Sequence, residues 1–104
     1  MVFVETPLFT SQIKLLLNDD DYGVFQRALA ENPQAGDVIP GTGGLRKVRV
    51  AAKGHGKSGG ARVIYYHFVS ASRIGLLFAY PKNEQVNLTP AQKTALRKII
   101  ELWR

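Results

Sequence analysis

At 104 residues, the chain is long enough to bury about 60–65% of its unfolded surface around one core without disulfide staples, so one domain spanning 1–104 is expected. A content of 45% hydrophobic and 10% aromatic residues with no low-complexity tract excludes disorder, fibres and solenoids. The net charge is +6, and zero cysteines exclude disulfides, iron–sulfur clusters and cysteine-ligated zinc.

Val2 to Val4 is a short apolar run that reads as a first strand. Thr6-Pro7 then supplies an N-cap and a proline at the first helical position. Leu8, Phe9, Ile13, Leu16 and Leu17 recur at helical spacing, which predicts an amphipathic first helix. Asn18-Asp19-Asp20-Asp21 ends it and caps a second helix, because aspartates favour a helix N-terminus. Tyr22, Phe25 and Leu29 form the buried stripe of that helix, and Asn32-Pro33 closes it. From Leu45 to Ala51 the period changes to two: Lys47 and Arg49 alternate with Val48 and Val50, so one face is basic and the other apolar. After the glycine-rich loop Lys53-Gly-His-Gly-Lys-Ser-Gly-Gly60, two runs, Ala61 to Val69 and Arg73 to Tyr80, flank the polar Ser70-Ala-Ser72 as a hairpin. Both are apolar on both faces and read as central strands. Thr89-Pro-Ala-Gln92 is a capping box with proline at the first helical position. Ala95, Leu96, Ile99, Ile100 and Trp103 continue as the apolar face of a last helix. The predicted order β-α-α-β-β-β-α is an α+β domain, with about four strands in a small antiparallel or mixed sheet, two N-terminal helices and one C-terminal helix.

No apolar stretch approaches the length of a bilayer crossing; the longest is Ile74 to Tyr80. Glu5, Pro7, Asp19 and Asp20 stand where a signal peptide needs a basic start and an apolar middle, so a cytoplasmic protein without a membrane partner is expected.

The charge is concentrated. Between Gly41 and Lys82 lie Arg46, Lys47, Arg49, Lys53, Lys57, Arg62, Arg73 and Lys82, with no acidic residue among them, whereas the remaining six basic and eight acidic residues sum to −2. A one-sign field points to a polyanionic partner, with nucleic acid first and anionic lipid or an acidic protein behind it. Ala51-x-x-x-x-Gly56-Lys57-Ser58 satisfies a relaxed P-loop pattern. A P-loop needs a helix after it to hold phosphates, and Arg62 to Phe68 reads as a strand, so a nucleotidase is rejected. The same loop makes better sense as a basic arm whose glycines let Lys53 and Lys57 approach phosphates. Arg62, where loop meets strand, is placed to fork onto one phosphate. No cysteine nucleophile exists, and His55 and His67 carry no signature pairing them with each other or with a carboxylate, so neither a metal nor a cofactor is expected. His67 reads as a half-buried structural residue. Lys53 and Lys57 are expected to lower the pKa of His55 by like-charge repulsion, so that it would be mostly neutral near pH 7.

Three segments together resemble a known family: Gly41-Thr-Gly-Gly-Leu-Arg-Lys-Val-Arg49, Lys53-Gly-His-Gly-Lys-Ser-Gly-Gly-Ala-Arg-Val-Ile-Tyr-Tyr66 and Tyr80-Pro-Lys-Asn-Glu84. With the N-terminal strand and Asn32-Pro33…Gly36-Asp37, they are similar to the HigB branch of the RelE-type toxins over nearly the whole chain. The resemblance implies the toxin of a type II toxin–antitoxin pair, an mRNA interferase that enters the ribosomal A site and inhibits translation by cleaving messenger RNA. It further implies metal-independent attack of the ribose 2′-hydroxyl on the adjacent phosphate, leaving a 2′,3′-cyclic phosphate. The implied partners are the ribosome, mRNA, a cognate antitoxin of helix-turn-helix type, and operator DNA only through that antitoxin. Carried over by position, Arg62 matches the phosphate-clamping arginine, and Lys53 and Lys57 match the basic loop, where one lysine could deprotonate the 2′-hydroxyl. Lys82 matches the group that stabilises the phosphate or protonates the leaving oxygen. Tyr80 is placed either to stack on a base or orient the phosphate, or to serve as a structural residue. Arg46, Lys47 and Arg49 are expected to contact RNA backbone. The sequence departs from the RelE pattern in lacking a C-terminal tyrosine and in carrying His55, a titratable group, where a lysine or arginine is expected. The rival class is a module of the same fold that binds RNA, ribosome or antitoxin without cutting.

Overall fold

The computed structural model describes residues 1–51 and 60–103. In chain order the elements are β1 (Val2–Glu5), α1 (Pro7–Leu16), α2 (Asp19–Glu31), β2 (Asp37–Val38), β3 (Arg46–Val50), β4 (Ala61–Phe68), β5 (Arg73–Pro81) and α3 (Pro90–Trp103). The sheet runs β1-β5-β4-β3-β2. β1 is parallel to β5 and every other pairing is antiparallel. The sheet therefore has five strands where about four were expected. The extra one is β2, whose two residues are too few to show a period-two pattern.

The predicted caps form. Thr6 accepts from the Phe9 amide at 3.0 Å and donates to the Leu77 carbonyl at 2.8 Å, so one side chain starts α1 and pins it to β5. Asn18 accepts from the Asp21 amide at 2.7 Å at the start of α2. At α3, Gln92 donates its amide to Thr89 Oγ1 at 3.1 Å and returns a bond to the Thr89 amide at 2.9 Å, a complete capping box. Glu5 accepts from Thr10 at 2.5 Å and from Tyr22 at 2.6 Å, joining β1, α1 and α2. Burial, reinforced by that bond to Glu5, raises the Tyr22 pKa.

β4 and β5 are central and covered on both sides, as their apolar runs predict. One face packs Val50, Ala61, Val63, Tyr65, Ile74, Leu76 and Ala79 against Phe9, Ile13, Phe25 and Leu29 of α1 and α2. The other packs Ile64, Leu77 and Tyr80 against Leu96 and Ile100 of α3. A bulge in the β4–β5 pairing changes the phase between these faces: Tyr65 pairs with Leu76 but Ile64 with Phe78. Ile74 and Leu76 thus face α1 and α2, whereas Phe78 and Tyr80, in simple alternation with them along the chain, face α3.

Two tight segments set β2 against β3. Tyr65 is fully buried, and its hydroxyl accepts from the Gly36 amide at 2.9 Å and donates to the Pro33 carbonyl at 2.8 Å. Burial raises its pKa as well. At Gly36 a Cβ would lie 2.8 Å from the Lys47 carbonyl oxygen and 2.9 Å from Tyr65 Cε1, so only glycine fits. The β2–β3 connection turns through Gly41, Gly43 and Gly44 at φ of 76°, 75° and 110°, in the left-handed region. Buried Thr42 closes that turn, donating to the Ile39 carbonyl at 2.6 Å and accepting from the Leu45 amide at 3.2 Å.

Candidate nucleic-acid interface

The basic face read from Lys47 and Arg49 exists, and the register extends it across the sheet. Arg49 lies directly opposite Arg62, and Arg62 lies opposite Tyr80. One row over, Lys47 lies opposite Ile64 on one side and Asp37 on the other. Together Ala35, Asp37, Lys47, Val48, Arg49 and Arg62 line an open cleft of about 460 Å³. Arg49 is exposed and Arg62 half-exposed. The ion pair found among the described residues, Arg97 with Glu101 at 3.5 Å, lies elsewhere on α3, so no described carboxylate is paired with either cleft guanidinium.

Like charges facing each other across a strand pair cost about 0.2–1 kcal/mol. Burying Val63 and Val50 on the opposite face of the same strands contributes about 1.5–3 kcal/mol for each large aliphatic side chain. The register is therefore set by the apolar face, and it places the two arginines opposite each other despite that cost. An entering phosphate relieves that repulsion and can accept from both forks.

The other expected site residues divide. Lys47 joins the cleft but is tethered, donating to Asn87 Oδ1 at 3.0 Å and to the Val86 carbonyl at 3.3 Å. Lys82 lies at the end of β5: its amide donates to the Gly60 carbonyl at 3.3 Å, one step along the sheet from the Arg62–Tyr80 pair. Lys53, His55 and Lys57 lie outside the described residues.

Two expectations are corrected. Arg46 does not share the face of Lys47 and Arg49. It is paired with Tyr65 on the α1–α2 side, and its guanidinium donates to the Gly36 carbonyl at 2.7 Å and the Gln34 carbonyl at 3.4 Å. Its guanidinium thus ties β3 to the turn before β2, away from the cleft that Lys47 and Arg49 line. Tyr80 is 2% exposed, its hydroxyl on the Val86 carbonyl at 3.3 Å and its ring in the α3-side core, so it has no free face on which a base could stack. Burial raises its pKa and the nearby Arg62 guanidinium partly opposes that shift. The structural alternative for this tyrosine fits. If the cleft is a site of RNA cleavage, Tyr80→Phe is expected to change the rate by less than about threefold, since it removes a single weak bond, whereas loss of a group acting on the transition state costs about 100-fold. A kcat comparison of the two proteins decides between them.

Sequence reasoning missed Asp37, the carboxylate that shares the cleft with both arginines. It sits in the Gly36-Asp37 pair already noted for its resemblance, but nothing in the linear order places it beside Arg49. Among the described residues no three His, Cys, Asp or Glu side chains gather as metal ligands would. Among them, too, no helix is long and apolar enough to cross a membrane.

A mixed sheet flanked by three helices, with two arginines opposite each other on adjacent strands and lining one cleft, defines a small α+β protein with a basic cleft on its sheet. The chain belongs to the RelE toxin family: the model of the RelE toxin of the RelE/RelB toxin–antitoxin system matches residues 28–104. That span contains β2 to β5 and α3, and with them every residue lining the cleft. The fold is RelE-like, the protein is the toxin member of a toxin–antitoxin system, and membership implies an antitoxin as its partner.

Proposed function

We propose that this toxin is a ribosome-dependent mRNA endoribonuclease of the HigB type, acting on message in the ribosomal A site and hence in the cytoplasm. The observation that supports this most directly is the Arg49–Arg62 pair, two cations on adjacent strands with no described carboxylate paired to them.

In the proposed reaction the ribose 2′-oxygen attacks the neighbouring phosphorus. The 2′-O–P bond forms, the P–O5′ bond breaks, and the products are a 2′,3′-cyclic phosphate and a 5′-hydroxyl. Charge grows on the non-bridging oxygens in the transition state. Guanidinium groups whose backbone positions the sheet already fixes stabilise that charge with little rearrangement of the chain. Arg62 clamps the scissile phosphate and Arg49 adds a second fork. The 2′-hydroxyl proton passes to a basic group and another proton reaches the 5′-oxygen. The family resemblance offers Lys53, Lys57 and His55 for the first transfer and Lys82 for phosphate stabilisation or the second. Chemistry of this kind needs no metal, because the cations supply the electrostatic stabilisation. The ribosome supplies the substrate orientation that so open a cleft lacks.

One observation favours the rival, binding without cutting: the groups that define the cleft are mainly guanidinium groups, which stay protonated and transfer no proton at neutral pH. Primer extension on a defined message in a purified translation system separates the two. Cuts within A-site codons that require ribosomes are the expected result. Arrested translation with intact message would establish the binding module instead.

A further inference from the structure

The cleft does not stop at the sheet. It shares Asp37 and Lys47 with a second hollow of about 360 Å³, whose opposite wall includes Lys93 of α3. Lys93 in turn lines a third hollow, of about 250 Å³, with Arg97, Lys98 and Glu101. The three hollows adjoin one another at these shared residues, a row of hollows, or trough, from the sheet onto the helix. Arg62, Arg49, Lys47, Lys93, Arg97 and Lys98 border it against two carboxylates, Asp37 and Glu101, so four positive charges are in excess. Glu101 is already paired with Arg97.

An amphipathic helix carries charged residues on its solvent side as a matter of course. Here the charges do more than face solvent. Leu96 and Ile100 seat α3 on the sheet, which turns Lys93, Arg97 and Lys98 toward the wall made by β2 and the turn at Gly41. In sequence these three residues belong to the part of the chain whose net charge is negative. Folding attaches them to the basic face.

We propose that the trough carries the messenger strand beyond the cleavage site, with Lys93 and Lys98 each holding a phosphate of the same RNA whose scissile phosphate lies at Arg62. This rests on the reading of the cleft as an RNA-cleavage site and adds to it a second, non-catalytic backbone subsite on α3. Continuity favours the message over other polyanions: a strand bound across Arg49 and Arg62 must leave the cleft, and the trough is a positively charged way out among the described residues. Such contacts read backbone charge and not base identity, so they add affinity uniformly across sequences.

The test uses the full chain and a twelve-nucleotide 2′-O-methyl RNA, which cannot be cleaved because its attacking hydroxyl is blocked. Binding is followed by fluorescence anisotropy from 50 to 200 mM salt. Each neutralised phosphate of a single strand contributes about 0.7 to the slope of log affinity against log salt, so Lys93→Ala/Lys98→Ala is expected to flatten the slope by about 1.4 and to weaken binding about tenfold or more. Lys14→Ala, on α1, is expected to change neither. Should the double variant fold poorly, Lys98→Gln at an exposed position is expected to flatten the slope by about 0.7. An unchanged slope and affinity, or no salt-dependent binding by the wild-type protein, overturns the proposal. So does a loss of ribosome or antitoxin binding with oligonucleotide binding intact, which would assign the trough to ribosomal RNA or to an acidic antitoxin segment. Failure of the cleavage reading looks different: the slope still flattens, but the wild-type protein leaves message whole on ribosomes.

Discussion

Arg62→Ala is expected to lower message cleavage by about 100-fold to 1,000-fold, the usual consequence of removing one preorganised donor from a developing oxyanion. The fold should survive. Arg62 is half-exposed and sits opposite another arginine, so its removal relieves a repulsion of at most about 1 kcal/mol. Arg62→Lys is expected to fall between the two, because it keeps the charge but loses the planar fork that can hold two phosphate oxygens. Cleavage kinetics on programmed ribosomes, read beside the thermal midpoint of each variant, check this. An Arg62→Ala protein that folds and still cuts at the wild-type rate would remove Arg62 from the chemistry and place the phosphate elsewhere on the sheet.

The largest expected loss of stability comes from a residue with no side chain of its own. Gly36→Ala would push a methyl group to 2.8 Å from the Lys47 carbonyl oxygen and 2.9 Å from the Tyr65 ring. The first contact is backbone of a paired strand, and the second belongs to a fully buried side chain, so neither yields easily. Overpacking of this kind costs about 1–3 kcal/mol. Displacing Tyr65 also weakens its bonds to Gly36 and Pro33, each worth about 1 kcal/mol. For a chain of this size, a total of about 2–3 kcal/mol lowers the thermal midpoint by about 10–15 °C. Circular dichroism melting measures it, and a midpoint within about 2 °C of wild type would show that β2 can shift away from β3 without cost. The same variant should loosen the wall that Asp37 contributes to the cleft, so its RNA affinity is expected to fall even at temperatures where it remains folded.

Local signals in the sequence were strong wherever a few neighbouring residues decide the outcome. Thr6, Asn18 and Thr89 each cap the helix they precede, because capping depends on a side chain and an amide two or three residues away. Lys47 and Arg49 share a face because alternation is intrinsic to a strand. The apolar runs of β4 and β5 marked them as central. What stayed hidden depended on distant partners. Alternation alone puts Arg46 on the face opposite Lys47 and Arg49, but its partners there, the carbonyls of Gln34 and Gly36, come from a segment that only the fold brings to β3.

The amino-acid sequence by itself determined the α+β class, the helix boundaries, the basic middle segment and the resemblance to RelE-type toxins, which the family match supports at that level, all of them properties of neighbouring residues or of composition. Tertiary structure alone decided how the site is assembled. A bulge opposite Ile64 and Tyr65 turns Tyr80 to the side of Arg62 and buries it there. A glycine at 36 lets a two-residue strand bring Asp37 beside Lys47, and the apolar stripe of α3 carries Lys93 to the hollow next to the cleft and Lys98 to the one beyond it. Each of these depends on register and packing between segments tens of residues apart. Local pattern holds no record of them, because the free energy that selects them comes from burial shared between elements.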